Sequence, residues 1–549
     1  MATYTIGIDF GKNGCRALLV DTTDGSEVAC SSVEYNNGIM INNFFNGVPL
    51  PENWAIADPQ DYIDVVAEAV NEIVENVQAS EIMGLGIAFS SCCVMPVKAD
   101  GTPLCALPEF KNNPHAYIKV TRHRSAVKQA EKIGKLAKQY NEPWVATGKN
   151  EDSNEWMLPK VLEIIDEAPQ IYEAADFFME ATDWLVWQLT GNPVRNAFSA
   201  SFKAQIDDKG DGPSTEFLRA VNPMLENFYK TKLNIPVASP ITRAGGLTRS
   251  MASLLGLKPG TAVAVGGVDV LTCLPALDMC EEGGLVGILG ETSTFITISK
   301  KEVILNGIAR GVKGSIIPEY YTYKSNLKCV GDNYAWFLNN FVPPEYHVGA
   351  KAEGRNLHSF IAQKMMRLAP GENGIIAINW HKGSYAPIED KKLSTVYVGM
   401  DKSTRVEHLY RAIIEGMAFD TRYVIEEYTS KGIDIDCFYG VGTIAERNPF
   451  ISQLYADILG IPVRVAGTSK SPALGAAIVA SAISGVYESI NEAAHNMGVL
   501  KNVVYFPNIT AVSIYDEMYQ EYKKVREYFS VKQSSIMHNL KDIKAKCKL

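Results

Sequence analysis

Residues 5–20 read Thr-Ile-Gly-Ile-Asp-Phe-Gly-Lys-Asn-Gly-Cys-Arg-Ala-Leu-Leu-Val, and residues 285–298 read Leu-Val-Gly-Ile-Leu-Gly-Glu-Thr-Ser-Thr-Phe-Ile-Thr-Ile. Each stretch is a β-rich apolar run, a small polar turn with glycine, and a second apolar run, the signature of a hairpin. Glycines in such a turn let backbone N–H groups approach an anion, and Lys12, Asn13, Thr292 and Ser293 add side-chain donors. The first copy also carries Asp9, an acid placed to hold a metal ion beside that anion. Two anion-cradling hairpins in two halves of one chain imply a two-domain machine that uses ATP.

Working outward, the 549 residues are too many for one core, and two domains of similar size are expected. The chain is 46% apolar and 21% charged, ordinary for a globular protein, and its net charge of −10 argues against a nucleic-acid partner. No apolar run is long enough for a membrane span, and the first residues lead straight into a strand, which leaves no signal peptide. The ten cysteines are scattered, several inside apolar runs, and none has zinc-ligand spacing. They read as reduced thiols in a cytoplasmic protein.

Strands and helices alternate. Helices are expected over 59–78, 125–139, 155–175, 182–190, 403–429, 448–459 and 473–484, with strands over 82–89, 262–265, 438–441 and 463–466. That alternation implies α/β layers. A boundary near 240–262 divides the chain into domains at 1–258 and 259–512, and residues 513–549 read as a charged, solvated helical tail.

Four positions stand out chemically. Asp9 ends a strand, where it either assists a metal or caps a turn. Asp269 follows Gly266-Gly267-Val268 and opens a helix, so its carboxylate stands at a strand's carboxyl end. There it can take a proton from a substrate hydroxyl, or cap the helix, or both. Gly440-Val441-Gly442-Thr443 leads into a helix containing Asn448, which suits a nucleotide over a helix N-terminus. Ser471 to Ala477 has a small-residue face, read as close packing.

In this order and at these separations, the segments resemble the FGGY carbohydrate kinases of the actin/hexokinase superfamily, most of all the ribulokinase branch. Further islands carry the resemblance, among them Ala57-Asp58-Pro59, Asn113-Pro114-His115, Glu155-Trp156-Met157, Thr182-Asp183-Trp184, Phe202-Lys203-Ala204 and Gly331-Asp332. The resemblance implies two ribonuclease-H-like domains flanking a deep cleft, with sugar on the first and ATP on the second. It implies Asp269 as catalytic base, Asp9 with Asp269 at the magnesium ion, and Ser91, Lys203, Asp269 and Lys324 around the sugar. ATP would meet Gly11, Lys12, Asn13, Arg16, Gly290, Thr292, Ser293, Gly442, Thr443 and Asn448. The implied reaction is ATP- and Mg²⁺-dependent phosphorylation of a primary hydroxyl of an L-ribulose-like ketopentose or related polyol, and a homodimer is expected.

Departures from the family pattern cluster at the site. Ala88 stands for an aspartate, Val120 to Arg124 and Lys324 to Lys328 differ, Lys382 to Tyr385 replaces an Asn-Gly motif, and Glu291 and Thr443 are added or changed. Lys324 brings a cation where the family has an acid, and Arg122, Arg124, Lys324 and Lys328 together would favour an acidic sugar. The alternative is a non-catalytic sugar- or nucleotide-binding homologue with a regulatory or scaffold role. An actin- or chaperone-like ATPase is disfavoured by the sugar-kinase islands between 109 and 204.

Overall fold

The computed structural model describes residues 2–147, 153–207, 209–290, 292–308, 310–328, 331–384 and 386–547. Glu291 and Tyr385 lie outside the described residues, as does the side chain of Lys328.

The opening hairpin forms as its pattern dictates. Strands β1 (Tyr4–Phe10) and β2 (Gly14–Asp21) pair antiparallel, and the turn closes when the Gly11 N–H donates to the Gly14 carbonyl at 2.9 Å. β3 (Glu27–Glu34) adds beyond β2. On the other side β1 runs parallel to β4 (Ile82–Phe89). β5 (Arg243–Gly246), β6 (Ala262–Ala264) and β7 (Gly267–Val268) complete this sheet, whose order is β5-β6-β4-β1-β2-β3, with β7 also on β4. Ile6, Ile8 and Phe10 are buried with Val65, Val66 and Ala69 of α1 (Pro59–Val74).

The second sheet repeats the plan. β8 (Gly283–Ile288) turns into β9 (Thr292–Ser299), and β10 (Val312–Lys313), β11 (Tyr321–Lys328), β12 (Ile435–Val441) and β13 (Val463–Val465) complete the order β10-β11-β9-β8-β12-β13. As in the first sheet, the hairpin's first strand pairs parallel with a strand from far along the chain.

The halves interlock. Helix α6 (Ser471–Ile483) rests its backbone on the first sheet, because that surface is glycine. A Cβ at Gly7 would lie 1.8 Å from the Ala473 carbonyl oxygen, and one at Gly86 2.0 Å from that of Ala476. The same helix abuts α3 (Asp269–Ala276), where a Cβ at Gly475 would meet the Thr272 oxygen at 1.6 Å. The close-packing reading of Ser471 to Ala477 matches this contact.

Between β4 and β5 lies an insertion with its own core of Met157, Leu158, Val161 and Phe178 around a small antiparallel sheet. It carries α2 (Ala197–Lys203). Buried Lys160 anchors the insertion to the loop after β4, its Nζ donating to the carbonyls of Cys92 (2.6 Å), Val120 (2.9 Å) and Lys119 (3.2 Å).

Three expectations change. The helix over 155–175 is two helices, Met157–Glu167 and Pro169–Ala174, because Pro169 has no N–H to continue the ladder. The boundary at 258 falls too early, since β6 and β7 belong to the first sheet. The tail is solvated only in its second part. In α7 (Ile509–Glu527), Tyr515, Tyr519, Tyr522 and Arg526 share one face and are buried against α4 (Val406–Ser430). The Tyr522 hydroxyl donates to Asp420 at 2.6 Å, Arg526 pairs with Asp420, and the Tyr515 hydroxyl donates to Glu415 at 2.9 Å. Each buried ring contributes about 1.5–3 kcal/mol of transfer free energy. The last helix, α8 (Ser534–Lys546), is largely exposed. Among the described residues no helix is long and apolar enough to cross a membrane.

Candidate active site

Three parallel strands end side by side at one edge of the first sheet. Asp9 on β1 pairs in register with Ala88 on β4, and Ala88 with Gly267 on β7. Asp269 is the residue after β7 and the first of α3, with Val268 as the N-cap. Its Oδ1 accepts the Val270 N–H at 2.7 Å, and its Oδ2 accepts the Ser90 hydroxyl at 3.1 Å. These donors and the helix N-terminus favour the carboxylate, but burial dominates and raises its pKa, while the nearby Lys324 charge lowers it. Burial, then the charge of Asp269, pushes Asp9 up to about 7, against a smaller opposing effect of Arg16. The two acids therefore share one poorly solvated spot, and both stand on the first sheet. The expectation that Asp269 belongs to the second half is corrected by the pairing of β7 with β4.

Cys273, one turn along α3, is buried and feels Asp269, Asp9 and Glu446 together, its thiol raised by burial before those charges. Glu446 lies on α5 (Thr443–Arg447), so the second half reaches this spot too. Its carboxylate accepts the Gly442 N–H at 2.9 Å, a role not read from the sequence, although an acid four residues after a helix-opening glycine was a visible cue.

The two turns expected to cradle an anion are where the hairpins put them. Gly11, Lys12 and Asn13 are exposed at the end of β1, the Tyr35 hydroxyl donates to the Gly11 carbonyl at 3.0 Å, and half-buried Arg16 faces Asp9 across the ladder. In the second sheet the turn at Gly290 lies beside Gly442, because the Leu289 N–H donates to the Val441 carbonyl at 2.8 Å. Gly442 has φ +98°, and a Cβ there would sit 2.7 Å from the Leu289 oxygen, so glycine is required. Thr292 and Thr443 are exposed, whereas the buried Ser293 hydroxyl has no partner among the described residues. Asn448 caps the helix Pro449–Leu459, its Oδ1 accepting the Ile451 N–H at 3.4 Å.

A cavity of about 470 Å³ opens between the halves. Lys203, Phe202, Trp156 and Arg124 line it from the first half, and Thr292, Lys324, Asn326, Glu389 and Lys391 from the second. Arg124 pairs with Glu155 at 2.7 Å at its edge. Lys203 ends α2, whose N-cap Asn196 accepts from Phe198 and Ser199 (2.9 and 3.1 Å) and donates to the Gly266 carbonyl just before β7. One asparagine thus ties the Lys203 helix to the strand that delivers Asp269. Burial, then the Lys203 charge, lowers Lys324 to about 8, and Asp269 opposes this, so Lys324 links the cavity to Asp269, while neither Asp269 nor Asp9 lines it. Ser91 does not line the cavity. Its carbonyl accepts Thr121 Oγ1 at 2.5 Å, and Ser90 is the serine that reaches Asp269. Arg122 does not line it either.

Comparison with known proteins agrees with this geometry. Residues 4–274 match the N-terminal domain of the FGGY family of carbohydrate kinases, and residues 285–483 its C-terminal domain. The chain is 38% identical to a ribulokinase of Bacillus licheniformis over 536 residues, covering 96% of this chain and 97% of the relative. It is 37% identical to one of Geobacillus thermodenitrificans, covering 98% and 96%. Solved structures share the fold at lower identity. A xylulose kinase from Rhodospirillum rubrum has TM-score 0.79 at 18% identity, covering 97% of this chain and 100% of that one. A gluconate kinase from Lactobacillus acidophilus has 0.78 at 16%, covering 98% and 100%. The chain belongs to the FGGY family of carbohydrate kinases. It is a carbohydrate kinase that phosphorylates a sugar with ATP, and no comparison favours the non-catalytic alternative.

Proposed function

We propose that the chain transfers the γ-phosphoryl group of ATP to a primary hydroxyl of a ketopentose or a related sugar held in the cavity, with Asp269 as the base. One observation carries this reading: Asp269 shares a buried spot with Asp9 at the strand ends and adjoins, through Lys324, a cavity lined from both halves. The relatives named ribulokinases support the ketopentose.

The carboxylate of Asp269, its pKa raised by burial, is a better proton acceptor than a solvated one. Ser90 and the Val270 amide fix its orientation. The turns at Gly11 to Asn13 and at Gly290 to Ser293, with Arg16, offer donors for the phosphates, and Gly442, Thr443 and Asn448 offer a helix start for the nucleoside. A cavity walled by both halves excludes water when they draw together, which protects ATP from hydrolysis.

The acid pair also suits Mg²⁺. That ion is held by one or two carboxylates together with phosphate oxygens and water, and among the described residues no group of three or more ligating side chains exists. Asp9 and Asp269 would hold it, and it would supply neutralising charge for the transferring group. A cytoplasmic location, where ATP is available, and a homodimeric state go with this reading.

The test is ADP production over a panel of ketoses, alditols and sugar acids. Mg²⁺-dependent turnover with one class, lost in Asp269→Asn with little change in sugar binding, supports the proposal. Undiminished turnover in Asp269→Asn, or no turnover with any sugar, overturns it.

A further inference from the structure

Two cations meet in the cavity, and neither has an ion-pair partner among the described residues. Lys203 is 8% exposed, and its ammonium lies 4.5 Å from the centroid of the Phe202 ring. Neither its Nζ nor that of Lys324 makes a hydrogen bond or ion pair with any described residue. Both line the cavity, and Lys203 is close enough for its charge to act on Lys324.

The remaining charges on the wall do not supply the missing anion. Glu155 is engaged by Arg124. Glu389 and Lys391 each have interactions of their own. Asp269 faces Lys324 but stands outside ion-pair distance, with its oxygens on Ser90 and Val270. Two like charges held together in a poorly solvated wall are costly unless an anion joins them. A neutral sugar leaves that cost in place, and a bound oxyanion removes it through two charge-assisted hydrogen bonds. The cavity is large enough for a short sugar with one such group.

We propose that the acceptor sugar carries an anionic group, a carboxylate or a phosphate, and that this group sits between the ammonium groups of Lys203 and Lys324. The inference deepens the kinase reading and rests on it for the word acceptor. It makes the pair a specificity device. The anion fixes one end of the sugar, and a hydroxyl further along the chain reaches Asp269.

Calorimetry without nucleotide is the first arm, using five- and six-carbon aldonates and ketoaldonates, ketopentose phosphates, and the neutral ketopentoses and alditols of equal length. ADP production with each probe is the second. At least one anionic class binds about tenfold or more tighter than its neutral counterpart, and added salt weakens it. Lys324→Glu and the gentler Lys324→Gln both abolish that preference. Preference for carboxylates or for phosphates identifies the anion. Equal or tighter binding of neutral sugars, or a preference that survives Lys324→Gln in a variant with unchanged melting temperature, overturns the proposal. Turnover of neutral sugars above all others sinks the charge assignment but leaves the kinase reading standing. Tight anion binding without ADP formation sinks the kinase reading and leaves the anion site.

Discussion

In the first sheet β1 turns into β2 at Gly11 to Asn13 and runs parallel to β4. In the second, β8 turns into β9 at Gly290 and runs parallel to β12. The strand ends differ in charge. The first sheet presents Asp9 and Asp269 with Ser90. The second presents Gly442, Thr292 and Ser293, with Glu446 turned onto the Gly442 amide. One frame, used twice, thus presents different strand ends: an acid pair on one side, and Gly442, Thr292 and Ser293 on the other. In the proposed reaction, a second acid pair beside the phosphates would repel them, and a neutral first sheet would have nothing to take the hydroxyl proton.

The division can be broken from either side. The largest effect is expected for Asp269→Asn, which lowers kcat by about 10²–10⁴-fold with sugar KM changed little, as steady-state kinetics would show. Asp9→Asn lowers kcat by about 10²–10³-fold and raises the Mg²⁺ concentration needed for half activity. It also shifts stability with pH. A folded-state pKa near 7, above the ordinary 3.8, means that the fold prefers the protonated acid. The stability from that preference is present below about pH 4 and lost as pH rises toward 7. In metal-free buffer Asp9→Asn therefore melts higher than wild type at pH 8 and equally at pH 3.5.

On the second sheet, Gly442→Ala forces a Cβ against the Leu289 oxygen and costs about 1–3 kcal/mol in denaturant unfolding, with a raised KM for ATP. Ser293→Ala has the smallest effect on the fold. Its hydroxyl has no partner, so stability changes by less than about 0.5 kcal/mol or improves, while KM for ATP rises. Equal charge dependence of the two sheets' variants would erase the contrast between them.

Both hairpins and the long parallel strands were legible, because apolar runs bounded by glycine turns leave few alternatives. What failed was assignment across distance. β6 and β7 are three and two residues long, and nothing local says that they return to β4 after the insertion, so chain order alone puts Asp269 with the second half. The expectation at Ser91 misses by one residue, Ser90 being the one that reaches Asp269, because past a strand end the alternation of faces no longer fixes direction. In the tail, Tyr515, Tyr519, Tyr522 and Arg526 follow helical spacing, but the surrounding charges hid the buried face. Ala88 now has a place: it lies on the strand between the one that carries Asp9 and the one that leads into Asp269, where a carboxylate would add to the acids' repulsion.

The central claim is that Asp9 and Asp269 together hold one metal ion against ATP. A crystal grown with a non-hydrolysable ATP analogue and Mn²⁺, measured at the manganese absorption edge, tests it directly. The account predicts one anomalous peak between the two carboxylates and the phosphates, absent in Asp9→Asn. A metal bound elsewhere, or phosphates lying away from both acids, would contradict it.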